Sequence, residues 1–539
     1  IQPTGAAADP AGWLSEYSKN FSEMNLNYLI AFNKEFGDWS LGATLGGNRQ
    51  RTITKQYTPS DGGRPFIVNG LWSVNNLGDK RASKDYSEYR VNSVYATADI
   101  GWKNQLFLNL TGRNDWFSTL SPDNNSYFYP SVTLSWVFTD TFEMPEWFTF
   151  GKVRGSYATA SNGTDPYKNL LLYQLRNYTV NGQNTITQNN GNQYPNANLK
   201  PVSISEWEGG LNLAFLNNRL SFDMAYYVKN TKDDIAVVST SSASGYGSMI
   251  MNVGEIRNQG FEFMVNAVPV HSKDFEWNTT LNFAYNDSEV KYLGEGVERL
   301  QIDGASSRSG NVTVQNIVGS SYGELVGYKY KRHDGQIVYE NGIPQRADEL
   351  SSLGNGVYNL TGGWSNAFKY KNFSLSFLLD FKVGAKLFSG TNYSLYSEGL
   401  HKNTLVGRTA ENPGGSVVGA GVMLDGNGNY VPNTVAVDAQ TYYSGIASNN
   451  IAEEFVYNAN FLKLRELSLG YEFPQTMLTK MKVVKGLNVS LVGRNLWTII
   501  KHTDNIDPEA AYNNSNGQGL ELNGYPATRS VGFNVNVKF

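Results

Sequence analysis

Apolar and polar residues alternate with a period of two over long stretches of this chain. Leu220, Phe222, Met224, Tyr226 and Val228 alternate with Ser221, Asp223, Ala225, Tyr227 and Lys229. Phe373, Leu375, Phe377, Leu379 and Phe381 alternate with Ser374, Ser376, Leu378, Asp380 and Lys382. At the C-terminus Val531, Phe533, Val535, Val537 and Phe539 alternate with Ser530, Gly532, Asn534, Asn536 and Lys538. Successive side chains of a strand point to opposite faces, so this period predicts strands with two unlike faces. About fifteen such segments start near residues 24, 38, 91, 105, 128, 147, 203, 219, 256, 274, 356, 372, 461, 486 and 528. The phase slips once: Leu462 and Leu464 are out of step with Leu467, Leu469, Tyr471 and Phe473. A β-bulge near Arg465-Glu466 accounts for that slip. No helical period of comparable length competes.

The links alternate in length. Short ones fall at Gly37-Asp38, at Asn104, from Phe142 to Glu146, over Leu216-Asn217-Asn218-Arg219, from His271 to Asp274 and over Tyr370-Lys371-Asn372, with a modest one over 474–485. Two long links, one between the second and third segments and one after residue 163, have about forty residues each. Others cover 231–254, a stretch reaching to about residue 355, 389–459 and 502–526; a medium one runs through Ser121-Pro122-Asp123-Asn124-Asn125. Structureless links this long are uncommon in compact soluble domains, whereas outer-membrane barrels carry them on one side, opposite short periplasmic turns. Every long link follows an even-numbered segment, so one end of the sheet owns them all. The expected fold class is all-β: an antiparallel transmembrane β-barrel with long extracellular loops and short periplasmic turns. Polar residues then line a wet lumen, and apolar ones face lipid. Backbone groups in hydrocarbon must all be paired, so the sheet is expected to close. An odd strand count does not close an antiparallel barrel, so further strands are expected before residue 24.

Composition agrees with this. The chain has 33 Tyr, 27 Phe, 11 Trp and 54 Gly. No apolar run approaches the ~18 residues of a membrane helix. The net charge of −4 offers no basic surplus for nucleic acid. The absence of cysteine removes disulfides, thiolate metal sites and cysteine nucleophiles together. The opening Ile1-Gln2-Pro3-Thr4 is neither an initiator methionine nor a charged and then apolar leader, and a larger N-terminal piece is expected ahead of it.

Chemistry-bearing residues are sparse. His271, His333, His401 and His502 have no ligand spacing, so no metal site, cofactor or catalytic residue is expected. They read as solvated loop residues, with His502 beside Asp504 and Asp507 the one candidate for proton transfer. Asp425-Gly426-Asn427-Gly428-Asn429 resembles the start of a calcium loop, but position 436 is Ala where that pattern needs Glu, and a tight turn is expected instead. Arg113-Asn114-Asp115-Trp116 reads as a wall charge network with an interfacial Trp, the alternative being contact with substrate. Gly254 and Gly260 are expected at bends or bulges, the alternative being close backbone approach. Trp147, Phe148, Phe150, Tyr370, Phe373 and Phe473 beside short turns fit a periplasmic aromatic girdle. Trp72, Tyr173, Tyr246, Tyr322, Tyr393, Tyr396 and Tyr442 in the long links are the candidate substrate-binding residues. Aromatic faces stack on sugars and also pack peptides, so they leave the cargo open.

Several stretches resemble the SusC-like branch of TonB-dependent transporters of Bacteroidota. They are Y-P-S-V-T-L-S-W (129–136), K-V-R-G-S-Y-A-T-A-S-N-G (152–163), N-A-N-L-K-P (196–201) followed by Glu206 and Asn217-Asn218-Arg219-Leu220, and N-V-G-E-I-R-N-Q-G-F-E (252–262). N-F-L-K-L-R-E-L-S-L-G-Y-E-F-P (460–474) and G-R-N-L-W-T (493–498) with D-P-E (507–509) complete the series in family order. The resemblance implies a barrel of about 22 strands with a plug in its lumen, of which residues 1–539 are the C-terminal two-thirds of the barrel. The plug, the TonB box and the first strands have no match in this chain. It further implies the outer membrane of a Gram-negative bacterium, energy through the TonB complex, a SusD-like surface lipoprotein as partner, and oligosaccharide or oligopeptide cargo. Phe539 resembles the terminal aromatic read by the barrel-assembly machinery. A passive porin or barrel enzyme without plug or lid is the alternative, and a soluble β-rich adhesin a third.

Overall fold

A computed structural model of the chain describes residues 14–61, 66–68, 70–78, 80–180, 183–188, 193–306, 312–478, 483–510 and 517–539. Its main sheet has fifteen strands, one at each expected segment. They are β1 (Ser18–Phe36), β2 (Trp39–Asp61), β3 (Lys80–Trp102), β4 (Leu106–Phe117), β5 (Ser126–Val137), β6 (Phe148–Asn162), β7 (Val202–Phe215) and β8 (Leu220–Lys232). The series continues with β9 (Glu255–His271), β10 (Phe275–Tyr292), β11 (Leu360–Tyr370), β12 (Phe373–Val383), β13 (Phe461–Glu472), β14 (Gly486–Lys501) and β15 (Ser530–Lys538). Hydrogen-bonded neighbours follow chain order from β1 to β15. By internal contacts the chain divides into two compact units: residues 1–134, 157–205 and 233–252, and residues 135–156, 206–232 and 253–539.

In the first unit, β1 and β2 join through Gly37 at φ +58°, and β3 and β4 through Lys103 and Asn104, both in the left-handed region. Here one expectation fails. The link of about forty residues between the second and third segments is largely ladder, because β2 and β3 stay paired from Trp39↔Trp102 to Asp61↔Lys80. Apolar alternation lapses over Arg51-Thr52-Ile53-Thr54-Lys55-Gln56, but backbone pairing needs no apolar face. Charges replace it: Glu88 accepts from Arg51 at 2.8 Å across the pair and from Arg90 at 2.9 Å along the strand. A small core of Phe117, Leu120, Leu199 and Ile250 packs over this end of the sheet. Leu199 of the N-A-N-L-K-P stretch is fully buried there. Asn252 holds that stretch down, accepting the Lys200 N–H and donating to the Lys200 carbonyl, both at 2.8 Å.

In the second unit, many apolar strand residues are exposed. Phe533 on β15 is 80% exposed, and Leu491 opposite it on β14 is also exposed. Aromatic rings gather beside the short turns. Trp147 stacks on Phe215 at 5.9 Å, Trp277 on Phe368 at 5.6 Å, and Phe373 meets Tyr471 at 4.8 Å. The expected bulge is present. Leu464 pairs with Leu379 and Glu466 with Leu378, leaving Arg465 as the extra residue. At Gly260 the close-approach alternative holds. A Cβ there would lie 2.5 Å from the Tyr227 hydroxyl oxygen, so this glycine serves a close ring approach on β9 rather than a bend.

The long links of this unit fold. Arg299–Ser306, Val312–Ile317, Glu324–Tyr330 and Arg346–Asn355 form a four-stranded sheet, and the next long link carries α1 (Gly390–Ser397) and α2 (Ala439–Ser448). Val312, Leu325, Phe388, Ile451, Phe455 and Leu520, drawn from three different links, meet in one core.

Candidate functional site

The bulge on β13 decides what the polar face can carry. Without it, L-K-L-R-E-L would place Arg465 and Glu466 on opposite faces. With it, Leu464 and Leu467 stay on the apolar face, while Lys463, Arg465 and Glu466 share the polar one. Arg465 donates through Nε to Asp380 at 2.7 Å and through Nη1 to Asn495 at 3.1 Å, and it also pairs with Glu509. Lys463, only 4% exposed, bonds Asp507 at 2.6 Å and Glu509 at 2.8 Å. Lys382 reaches Glu509 at 3.0 Å. Three cations therefore face three carboxylates, which is what keeps charges this buried tolerable. Burial alone would raise the Glu509 pKa; the hydrogen bonds and charges of Lys463, Arg465 and Lys382 instead hold it down to about 2. The D-P-E turn is thus tied to the strand face by ion pairs.

Two cavities flank this network within the same unit. One, of about 690 Å³, lies over small residues such as Ala225, Ala284 and Gly363, between Arg465 and Arg154. Arg154 donates to Asn212 at 2.7 Å, Asp223 at 3.0 Å and Glu208 at 3.3 Å. The other, of about 600 Å³, opens beside Asp507, Asn505 and Lys501. In the first unit, Arg113 donates to Asp115 at 2.8 Å, Tyr129 at 2.9 Å and Ser93 at 2.8 Å, and Tyr129 donates to Asp115. Arg113-Asn114-Asp115-Trp116 is therefore built into a wall network, and beside it lies a third cavity of about 360 Å³.

The aromatic candidates fall into different settings. Tyr393, Tyr396 and Tyr442 come together at the loop core of the second unit. Tyr396 is 2% exposed; it donates to Glu454 at 2.8 Å and accepts from Asn403 at 2.8 Å. Tyr330 donates to the same carboxyl group at 2.9 Å, and burial beside Glu454 raises the pKa of both phenols. Tyr442 stacks over Tyr339, and Tyr393 packs edge-on against Phe455. Tyr322 lies apart, its N–H bonded to Ser288. In the first unit, Trp72 is exposed against Phe66, and Tyr246 meets Tyr194 at 5.0 Å. Tyr173 opens the short strand Tyr173–Val180; its side chain lies outside the described residues. Phe539 follows β15 and is 74% exposed.

The histidines differ from expectation at one position. His401 is buried, not solvated: Nδ1 accepts the Asn403 N–H at 3.1 Å to cap a short turn, and burial lowers its pKa. Asp504 and Asp507, the groups considered beside His502, are taken by Lys402 and Lys463. Asp425 closes a tight turn, accepting the N–H groups of Asn427 and Asn429 at 2.8 Å each. Among the described residues no group of three His, Cys, Asp or Glu is placed to hold a metal. Sequence reasoning missed Lys463, Asp380 and Arg154. The available signal was a charged residue among the polar alternates of β6, β8, β12 and β13: Arg154, Asp223, Asp380 and Lys463.

Comparison with known proteins agrees with this architecture. The family described as "TonB dependent receptor-like, beta-barrel" matches residues 4–496. TonB-dependent receptor P3 of Formosa agariphila is 27% identical over 97% of this chain and 53% of its own length. TonB-dependent receptor SusC of Bacteroides thetaiotaomicron is 23% identical over 100% of this chain and 52% of its own. The chain thus spans about half the length of the curated relatives it matches. A solved structure of the RagAB peptide transporter shares the fold, with TM-score 0.74 at 20% identity over 97% of this chain and 56% of that one. Exposed apolar strand residues, a charged polar face and a family match across most of its length agree: the chain belongs to the TonB-dependent receptor β-barrel family of the bacterial outer membrane.

Proposed function

We propose that this chain supplies the C-terminal two-thirds of the barrel of a SusC-like importer, which moves oligomeric nutrients across the outer membrane together with a SusD-like surface lipoprotein. Energy enters through TonB by way of a plug and TonB box carried in the remainder of the protein. The observation that carries this reading is the charged, cavity-bearing face of a sheet whose other face is apolar and exposed. Such a wall offers a wet path with fixed hydrogen-bonding groups, and no covalent chemistry is required of it. The likeness to the RagAB peptide transporter makes peptides one candidate cargo, and glycan fragments are the other. Trp72, Tyr173, Tyr246 and Tyr322 are the proposed cargo contacts. Tyr393, Tyr396 and Tyr442 act by holding together the loop core of the second unit. Phe539 serves as the assembly signal.

Uptake of fluorescent oligosaccharides and oligopeptides by cells with and without TonB tests the reading. Import is expected to vanish without TonB. Import that persists, or ion conductance by the protein alone in a planar bilayer, identifies a passive porin instead.

A further inference from the structure

The cavity of about 360 Å³ in the first unit lies at the low end of small-molecule sites, and the known features of the wall leave it empty of any assigned role. It is lined by Tyr89 on β3, by Arg113, Asp115 and Phe117 on β4, by Ser161 and Asn162 at the end of β6, and by residues 163–166 that follow. Gly163 lies close against Phe117: a Cβ there would stand 2.9 Å from its ring, so glycine lets the backbone come this close. The Arg113 guanidinium is fixed by Asp115, Tyr129 and Ser93, so its position is set before anything binds. The Ser161 hydroxyl is buried without a hydrogen-bond partner among the described residues, although it lines the cavity. A ligand hydroxyl would satisfy it.

Charge narrows the ligand. Arg113 is opposed by Asp115 and by Asp165 in the lining, so an anion is disfavoured. Asp115 is 5% exposed and already committed to Arg113 and Tyr129, which leaves a cation only the water-exposed Asp165. A neutral ligand remains. It must offer an apolar face to the Tyr89 and Phe117 rings and hydroxyls to the Arg113, Ser161 and Asn162 groups. We propose that this cavity is a subsite for one neutral pyranose ring of an oligosaccharide. The proposal rests on the import reading and specifies its cargo class.

Calorimetric titration of the full-length protein in detergent tests it. The probes are uncharged hexasaccharides (α- and β-linked glucans, a mannan and a galactan) and a peptide mixture of matched mass. At least one sugar is expected to bind, about tenfold or more weakly in Tyr89→Ala and Asn162→Ala, while heat-modifiable gel migration stays that of wild type. Asn162 is exposed and outside the Arg113 network, so its variant keeps the test independent of folding. Binding of peptides alone, binding of no panel sugar, or sugar binding unmoved by both substitutions overturns the subsite. TonB-dependent uptake in the same strains separates the two readings: uptake retained while sugar binding fails removes only the subsite, and sugar binding retained without uptake removes only import.

Discussion

Within the second unit, two regions follow opposite rules. In the assembly built by its long links, Phe388, Phe455, Val312 and Val314 are fully buried. On β15, Val531 is 70% exposed and Phe533 80%. The first is a water-soluble domain's interior; the second is a surface whose solvent is hydrocarbon. One sequence specifies both because the required patterns differ. Hydrocarbon demands strict alternation along a continuous strand, so that every backbone group is paired and every second side chain is apolar. Water demands only that enough apolar side chains meet, wherever in the chain they come from.

The largest expected effect separates these regions. Phe455 touches Tyr393 and Tyr396 at the centre of the loop core. Phe455→Ala is expected to cost the loop assembly about 3–5 kcal/mol. Protease applied to intact cells should then cut within 384–460, while heat-modifiable migration of the barrel is retained. Simultaneous loss of both would mean that loops and strands fold as one unit.

The converse substitution is made on the strand. Phe533→Arg on the apolar face of β15 is expected to cost about 2–4 kcal/mol in a bilayer, and Asn534→Arg beside it close to nothing. Urea titration of the protein refolded into lipid vesicles measures the difference. Equal effects at the two positions would remove the two-solvent account of this sheet.

That contrast also explains what was legible beforehand. All fifteen strands of the main sheet were readable because lipid imposes a period, and the phase slip in 461–473 placed a bulge near Arg465-Glu466, where the ladder shifts. The extension of β2 and β3 was not readable, because apolar alternation lapses there while the backbone ladder continues, and Lys55 or Asp85 serves in that ladder as well as Leu. The loop core was hidden for another reason. Its residues arrive from segments as short as Leu520–Glu521, too brief for any period to register. Of the polar-face network, D-P-E was visible only as a family resemblance. Its pairing with Lys463, more than forty positions earlier in the chain, is a property of the fold.

The junction between the regions should respond to pH. Glu509 ties the loop after β14 to the strand face, and its pKa of about 2 lies below the ordinary 4.5. A depressed carboxylate stabilises the bound turn fully above its unfolded value and loses that contribution as pH falls through the folded one. Docking of 502–510 should therefore weaken between about pH 4.5 and 2, by on the order of 1–3 kcal/mol. Hydrogen exchange of that segment measures it, and Glu509→Gln should flatten the profile. A wild-type profile as flat as the variant's would place the junction elsewhere.

The smallest effect is confined to one helix of the loop assembly. Ser389, fully buried, caps α1 by accepting the Asn392 N–H at 3.0 Å while donating to Glu521 at 3.0 Å. Glu521 keeps three further donors: the Thr391 N–H at 3.0 Å, the Thr391 hydroxyl at 2.8 Å and the Gly524 N–H at 3.1 Å. Removing one hydroxyl therefore leaves that carboxylate held, and the loss falls mainly on the cap. Ser389→Ala is expected to cost about 1 kcal/mol, read as roughly fivefold faster amide exchange in α1. Exchange in β14 should not change, because the ladder there is sealed by its neighbours β13 and β15 and shares no hydrogen bond with the cap. Faster exchange in both would show that the water-facing core and the lipid-facing strands open together, and the contrast between them would then describe burial without describing cooperativity.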